Sequence, residues 1–263
     1  MSAEKSGSRL GVRGWFYAVC GVAGLSLVGA AQVDSNRILL TQSQLGTAGA
    51  VWMTTKQDVA GGFDASFVIH IEDRHGGGAD GIAFVIQNSS PTALGGTGGA
   101  MGYGRNLVYN QPGISNSFAV AFDMWPNSNN WPEAGDNHIS FQSNGVGENT
   151  PDLSASLGNA GIPDISDGSQ HAVRVLYAGG IMSVYLDGGL SPVLSQNINL
   201  SSLMSLDNGQ AYVGLTAATG ALQDAQTHVL DSWGLHTSTV PAPAAAGVLG
   251  LGGLVMGRRR RIG

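Results

Sequence analysis

Oxygen-bearing side chains between residues 123 and 138 could hold a metal ion. Asp123 and Asn127 stand four residues apart and offer a carboxylate and an amide oxygen. Calcium takes six to eight oxygen ligands of these kinds in proteins. The D-x-x-x-N spacing is also typical of a solvated polar loop, so the spacing alone leaves both interpretations open.

Asp80 is a candidate hydrogen-bond acceptor for a ligand. An ionised carboxylate makes stronger hydrogen bonds than a neutral acceptor. Asp80 precedes Gly81 and an apolar run, and an Asp-Gly pair is also typical of a plain turn that enters a strand.

The sequence gives little support to catalysis. Glycoside hydrolases need two carboxylates roughly 5–10 Å apart across the sugar. Jelly-roll hydrolases carry them as alternating acids on one strand, and the nearest stretch here, residues 121–126, contains one acid, Asp123. The single cysteine, Cys20, lies in the N-terminal apolar run, and no Ser-His-Asp or Cys-His set stands out. We therefore predict a protein that is not an enzyme, and a glycoside hydrolase is the less favoured alternative.

The region from Gln32 to Thr239 is acidic and poor in charge overall. It carries five Lys or Arg residues against seventeen Asp or Glu residues, so its formal net charge is −12. Such a surface repels nucleic acid and anionic membranes but is compatible with divalent cations. The whole chain has 41 glycines and only 11% charged residues, which favours a loop-rich all-β protein without a nucleic-acid partner.

Residues 1–31 have the pattern of a secretory signal peptide. A polar, basic start is followed by an apolar run from Trp15 to Leu27 and then by small residues. The run is shorter than the roughly 20 residues that span a bilayer. We predict cleavage after Ala30 or Ala31, and a retained N-terminal anchor is the alternative.

Residues 240–263 form a second segment with a targeting pattern. A Val-Pro-Ala-Pro sequence precedes an apolar run from Ala244 to Met256 and four arginines at 258–261. This arrangement resembles the PEP-CTERM sorting tail of bacteria that make exopolysaccharide, although it reads VPAP where the family name spells PEP. The resemblance implies transient retention at the inner membrane, processing, and a final place in the cell envelope or outside the cell. A plain C-terminal anchor is the alternative.

Strand patterns recur along residues 32–239, separated by clusters of Gly, Asn, Asp, Ser and Pro. Many short strands without long helices predict one all-β domain, an antiparallel β-sandwich. Leu200 to Met204 could form a single helical turn. The predicted strands are Phe63–Ile71, Gly81–Gln87, Phe118–Met124, His138–Gln142, Ala172–Tyr177, Met182–Leu186, Ala211–Thr216 and Thr227–Leu235.

Several motifs appear in an order that is similar to the L-type, or legume-like, lectin family. They cover most of the predicted domain and read GGFDASFVIHI, ADGIAFVIQ, GGAMG, FAVAFDMWPN, DNHISFQSNG, VRVLY, MSVYLDG, AYVGLTAATG and HVLDSWGL. The resemblance implies a concanavalin-like antiparallel jelly roll. It also implies that Asp80 follows a cis peptide bond from Ala79 and accepts hydrogen bonds from two sugar hydroxyls. A backbone N–H of Gly99, with Gly98 as the second choice, would donate to the same sugar, as would the Asn127 amide.

The resemblance further implies a calcium site that organises the sugar site. Its ligands would be the Asp123 carboxylate, the Trp125 carbonyl, the Asn127 amide oxygen and a later acid. Counting back from His138 places Glu133 at that last position, where the family has Asp, and Asp136 is the rival.

A second, transition-metal site such as manganese is doubtful in this chain. The family places a Glu two residues before the calcium-binding Asp, and Ala121 stands at that position here. His138 is therefore either a metal ligand or an ordinary histidine at the start of a strand.

The resemblance places sugar selectivity in the loop after the AATG motif. Trp125 is the candidate for stacking on the sugar, ahead of Trp131 and Tyr103. The loop comprises Gly220, Ala221, Leu222, Gln223 and Asp224, and Leu222 and Gln223 are its candidate selectivity residues.

Together these features predict an exported lectin. It would recognise glycans or exopolysaccharide at the bacterial cell envelope or matrix through a calcium-organised site, and it could form a homo-oligomer. The departures at Ala121 and Glu133 keep a structural matrix or adhesion protein without sugar binding as the alternative.

Overall fold

The computed structural model describes residues 24–127, 132 and 134–237 and shows a sandwich of two antiparallel sheets. Strands are numbered in chain order. In spatial order the front sheet contains β1 (Leu25–Gly29), β4 (Ala48–Met53), β14 (Gln210–Ala218), β7 (Gly81–Gln87), β8 (Ser117–Asp123), β9 (His138–Gln142) and β10 (Ser156–Gly161), with β5 (Gln57–Asp58) paired to β14. The back sheet contains β13 (Leu194–Asn197), β12 (Ile181–Leu186), β11 (Gln170–Ala178), β6 (Phe63–His75), β15 (Ala225–Thr237), β3 (Arg37–Thr41) and β2 (Gln32–Asp34). The helical elements are the single turn α1 (Leu200–Leu203) and the 3-10 turns Gly98–Ala100 and Leu153–Ala155.

The apolar core lies between the two sheets, and alternation within each strand builds it. In β6, every second residue from Phe63 to Ile71 is buried in the core. The ring of Phe67 stacks on that of Phe84 in β7, with the ring centroids 5.8 Å apart. Full burial of a side chain of this size contributes about 1.5–3 kcal/mol. The core is therefore large enough to hold the sheets together and present the loops at their ends.

The front sheet is also covered on its outer face, which explains why every residue of β7 and β8 is buried. The segment between these strands folds back over them, so that Met101 and Tyr103 pack on Ala83 and Ala121. The Thr216 hydroxyl donates to the Met101 carbonyl at 2.8 Å. This packing places the turn at Gly98–Ala100 above one end of the front sheet.

All eight predicted strands are present, and two of them, Gly81–Gln87 and His138–Gln142, have the predicted bounds. The predicted helical turn is confirmed as α1. The sequence prediction missed the N-terminal strands β1–β5, the short strand β13 (LSQN), and β10 (SLGNAG), whose residues have little apolar alternation. Both β1 and β10 are edge strands of the front sheet, where one-sided pairing tolerates weak strand formers.

The strand β1 overlaps the end of the predicted leader. It pairs with β4 from Leu25 opposite Met53 to Gly29 opposite Gly49. The described sandwich thus begins before Gln32, and cleavage after Ala30 or Ala31, which stays a prediction, would remove this edge strand. The predicted tail, 240–263, lies outside the described residues. Within the described part of the chain, no helix is long and apolar enough to cross a membrane.

Candidate sugar-binding site

Four neighbouring strands of the front sheet bring the predicted site residues to one edge. Ala218 in β14 lies opposite Gly81 in β7, Gly81 lies opposite Asp123 in β8, and Asp123 lies opposite His138 in β9. The loops that precede or follow these four residues therefore meet at the same end of the sandwich. Asp80 stands immediately before this row.

Asp80 is held by its own backbone between two strands. The Ala79–Asp80 peptide bond is cis, as the family resemblance implies. The Asp80 N–H donates to the Ala218 carbonyl at 3.0 Å, and the Asp80 carbonyl accepts from the Met124 N–H at 2.9 Å. Only 2% of Asp80 is exposed. The position of its carboxylate is thus determined by the sheet rather than by a loose loop.

The two carboxylate oxygens of Asp80 differ in their surroundings. Oδ1 accepts a hydrogen bond of 3.0 Å from the Asn127 amide. Oδ2 is buried and has no hydrogen-bond partner among the described residues. A buried polar atom without a partner costs free energy, and a ligand hydroxyl that reaches it removes that cost. Oδ2 is therefore a ready acceptor for a ligand donor.

Burial raises the pKa of Asp80 to about 7, against a usual value of 3.8. The hydrogen bond from Asn127 lowers this pKa, and the nearby charge of Asp224 raises it further. Hydrogen bonds are electrostatically stronger in such a low-dielectric surrounding than in water. The surrounding that makes the charged form costly therefore also makes Asp80 a strong acceptor when a donor arrives.

Asp80 faces a cavity of about 230 Å³ at the edge of the sandwich. Most of the predicted sugar-site residues meet here. The cavity is lined by Ala79, Asp80, Gly98, Gly99, Asn106, Val108, Tyr109, Trp125, Asn127, Gly220, Ala221, Leu222 and Asp224.

The glycine turn forms one wall of the cavity and leaves room for a ligand. Gly98 has a φ of +65°, and a side-chain carbon added there would lie 3.9 Å from Oδ2 of Asp80. The Gly98 N–H already donates to the Thr219 carbonyl at 3.1 Å. This occupied donor favours Gly99, the first choice from the sequence, as the backbone donor to a bound sugar.

Trp125 and Asn127 shape the opposite part of the site. The Asn127 amide nitrogen donates to both Asp80 and the Trp125 carbonyl, the latter at 3.1 Å. Since its nitrogen is used in this way, the Asn127 amide oxygen is the atom left to bind a cation. The Trp125 ring packs against Gly77, where an added side-chain carbon would collide with it. The ring is thus held in place at the cavity, as a stacking residue must be.

Three of the predicted calcium ligands belong to this site. The Asp123 side chain is 2% exposed, and its Oδ1 accepts from the Trp125 N–H at 3.0 Å. Asp123, the Trp125 carbonyl and Asn127 all offer oxygen, the donor type that calcium prefers. The donor atoms of these residues therefore suit calcium.

The remaining metal candidates are less well supported. Asp136 is exposed, and the Nδ1 atom of buried His138 is paired with the Gly135 carbonyl at 2.7 Å. Burial lowers the pKa of His138, against the effects of Gly135 and Asp136. Glu133 lies outside the described residues. In the ranges that the structure describes, no three His, Cys, Asp or Glu side chains are grouped so that they could hold a metal, and Ala121 is a buried alanine that packs on Ala83.

The loop after the AATG motif, residues 220–224, borders the cavity, and we call it the selectivity loop after its predicted role. Gly220, Ala221 and Leu222 line the cavity, whereas Gln223 is exposed and does not. Asp224 lines it instead, and its Oδ1 accepts a hydrogen bond of 2.6 Å from the Gly77 N–H. This bond ties the selectivity loop to the turn that leads into Asp80.

Sequence reasoning missed three of the lining residues and misjudged one aromatic ring. Tyr103, a weaker stacking candidate, is completely buried on the front sheet and cannot meet a sugar. Trp131 lies outside the described residues. The missed residues are Asn106, Val108 and Tyr109. The signal was the apolar trio LVY in an otherwise polar loop, which suits an interaction site better than a solvated turn.

Comparison with known proteins agrees with this architecture. Residues 22–232 match the sequence model of the legume lectin beta-barrel domain. The Bauhinia forficata lectin in complex with GalNAc has a TM-score of 0.67 and 22% identity, over 84% of this chain and 96% of that one. The winged bean acidic lectin complexed with methyl-α-D-galactose has a TM-score of 0.65 and 22% identity, over 81% and 91%.

A calcium-bound domain shares the fold at lower identity. The exoplasmic/lumenal domain of VIP36, in its Ca²⁺/Man3GlcNAc-bound form, has a TM-score of 0.62 and 15% identity, over 84% of this chain and 88% of that one. At these identities the solved structures support the fold alone. The family match spans most of the chain and includes every strand of the site. The chain therefore belongs to the L-type, or legume, lectin family.

Proposed function

We propose that this protein is a lectin that binds neutral glycans in the cavity beside Asp80, without turning them over. The observation that carries the proposal is the buried Oδ2 of Asp80, which has no hydrogen-bond partner in the described part of the chain and faces a cavity shared with the glycine turn and Asn127. The neighbours' bound GalNAc, galactoside and mannose-containing glycan support a sugar as the ligand. The two carboxylates of the cavity, Asp80 and Asp224, disfavour acidic sugars by repulsion.

Calcium is proposed as the ion that organises the site. Asp123, the Trp125 carbonyl and Asn127 would be ligands, and Glu133 or Asp136 would supply the later acid. Asn127 would then link calcium to the sugar acceptor, since its nitrogen bonds Asp80. The calcium in the VIP36 structure supports this part of the proposal. A second metal is not proposed, because Ala121 offers no ligand atom.

The cellular setting is proposed from the two chain ends. The leader pattern and the PEP-CTERM-like tail favour export, transient retention at the inner membrane, and a glycan or exopolysaccharide of the cell envelope or matrix as the partner. The edge strands of the sheets would allow a homo-oligomer. The alternative of a matrix or adhesion sandwich without sugar binding rests on the altered metal positions, Ala121 and Glu133.

A glycan array tests the proposed function. The protein is applied with calcium and again with excess chelator, and the medium over the strongest binder is assayed for released sugar. We expect binding of neutral glycans that is lost with chelator, and no release. Absence of binding to every glycan with calcium present would favour the matrix alternative, and released sugar would favour the hydrolase.

A further inference from the structure

An exposed apolar tip stands beside the sugar cavity. Its residues Leu107, Val108 and Tyr109 are consecutive and are 69%, 58% and 47% exposed. Val108 and Tyr109 also line the cavity. Single exposed apolar side chains need no explanation, but a contiguous group at the mouth of a pocket is typical of a binding surface. We call the three residues Leu107–Tyr109 the apolar tip.

The apolar tip is held in one conformation by buried polar groups at its base. Asn106 and Gln111 exchange both of their backbone hydrogen bonds at 2.9 Å. The Asn106 side chain, 2% exposed, accepts from the N–H groups of Val108 and Tyr109 at 3.0 and 3.3 Å. Its amide nitrogen donates to the Thr97 carbonyl at 2.8 Å. The apolar side chains are thus exposed on a base that is fully bonded.

The base of the tip is also part of the cavity wall. The Gln111 amide oxygen accepts from the backbone N–H and the hydroxyl of Thr97, at 2.8 and 2.9 Å. Thr97 directly precedes the glycine turn that faces Asp80. The tip and the glycine turn are therefore one bonded unit, and their spacing is set before a ligand binds. Such preorganisation reduces the entropy that binding costs.

The size of the cavity decides how much of a glycan can enter it. Its 230 Å³ lies below the roughly 300–1,000 Å³ of pockets that bury a drug-sized ligand. It suits one sugar ring, so the next ring of a glycan must lie on the rim. The apolar tip forms part of that rim, and Leu222, 83% exposed, adds an apolar side chain from the selectivity loop.

We propose that the apolar tip is a second sugar subsite and that the preferred ligand is a neutral oligosaccharide rather than a single sugar. Tyr109 would stack on the apolar face of the second ring, with Val108 beside it. A flat aromatic ring buries the C–H face of a sugar and leaves the sugar hydroxyls in water. The cavity residues include Asp80 and Asp224 but no Lys, Arg or His among the described residues, which selects a neutral chain. This inference rests on the proposed lectin function.

Calorimetry with matched sugars tests the subsite. The probes are mannose and mannotriose, galactose and lactose, and N-acetylglucosamine and chitotriose. For a pair that binds, we expect the oligosaccharide to bind about tenfold more tightly than its monosaccharide. In Tyr109→Ser this ratio should fall to about one to two, because the oligosaccharide loses more affinity than the monosaccharide does.

Two controls make the result specific. Leu190→Ser removes a fully exposed apolar side chain from the loop after β12 on the back sheet and should change neither Kd. The melting temperature of Tyr109→Ser should match that of the wild type, since nearly half of Tyr109 is exposed.

The outcomes separate this inference from the proposed function. An unchanged ratio in Tyr109→Ser, or equal weakening of both sugars, would overturn the subsite and leave the lectin function standing. An oligosaccharide that binds no better than its monosaccharide in the wild type would do the same. If the wild type bound none of the six sugars, the proposed neutral-glycan function and the subsite would both be overturned.

Discussion

At the scale of single residues, the site depends on one carboxylate with two differently engaged oxygens. Oδ1 of Asp80 is bonded to Asn127, and Oδ2 is buried without a partner among the described residues. The backbone bonds to Ala218 and Met124 prevent the side chain from relaxing towards water. A ligand hydroxyl is therefore the group that best completes this carboxylate.

The Gly98→Ala substitution tests whether the glycine turn must stay open. Its φ of +65° disfavours a side chain by about 1–2 kcal/mol, and the added methyl group would lie 3.4 Å from the Asn106 amide. We expect a loss of stability of this size and at least a tenfold loss of sugar affinity, measured by calorimetry.

Gly179→Ala is the matched control for Gly98→Ala. Gly179 has a similar φ of +59°, and an added carbon there would meet nothing within 4 Å. We expect it to lose similar stability and no affinity. Equal sugar affinity in both variants would show that the glycine turn does not contact the ligand.

At the scale of the elements, strand pairing brings distant residues into one site. The row formed by β14, β7, β8 and β9 joins residues more than a hundred positions apart. The back sheet supports it from behind and contains a buried polar link. His228 in β15 is completely buried, and its Nδ1 lies 2.6 Å from the Thr41 hydroxyl in β3.

The buried His228 predicts acid destabilisation of the back sheet. Burial lowers its pKa to about 3, against a usual value of 6.5. Between these two values the unfolded chain binds a proton that the folded chain does not. Burial of neutral His228 therefore costs no stability above pH 6.5, and the free energy of unfolding decreases as the pH falls towards 3. The slope is about 1.4 kcal/mol per pH unit.

Urea unfolding between pH 4 and 6.5 measures this effect. In His228→Gln the free energy of unfolding should depend less on pH than in the wild type. The difference in slope should be about 1.4 kcal/mol per pH unit. His236→Gln, an exposed position in the same strand, controls for the loss of a histidine. A wild-type slope retained in His228→Gln would show that His228 is not buried in the neutral form.

At the scale of the whole molecule, the sandwich is the part that the sequence predicts best. Apolar alternation in β6 and continuous apolar runs in β7 and β8 each indicate strands that a core must cover. β10 could not be predicted, because its residues form a strand only through pairing with β9.

The site also contains residues that local sequence motifs predict and residues that only tertiary contacts bring there. Asp80 and the glycine turn carry motifs, so the sequence predicts them. The role of Asp224 depends on its contact with Gly77 across 147 positions. Tyr109 lies at the cavity because Asn106 and Gln111 close the tip. No local pattern reveals the contact between Asp224 and Gly77, whereas the apolar trio Leu107–Tyr109 was a local signal for the tip.

Calcium binding should be visible as a property of the whole fold. A ligand that binds only the native state stabilises it, by about 2.7 kcal/mol at a hundredfold excess over its Kd. For a chain of this size that corresponds to a rise in melting temperature of about 5–10 °C. We expect this rise with calcium for the wild type and its loss in Asp123→Asn.

Magnesium at the same concentration is the control for calcium, because it requires a tighter octahedral site than these loops offer. A melting temperature that calcium leaves unchanged would contradict a calcium-organised site and favour the matrix or adhesion alternative.

The most direct test of the proposed sugar site is calorimetric titration of Asp80→Asn with the glycan that binds the wild type most tightly. The substitution keeps the shape of the side chain but replaces the charged acceptor by an amide. We expect at least a hundredfold loss of affinity, because a charged hydrogen bond is lost at a buried position. Asp34→Asn, on the exposed edge strand β2, should bind like the wild type. Wild-type affinity in Asp80→Asn would contradict the proposed role of Asp80 as the sugar acceptor.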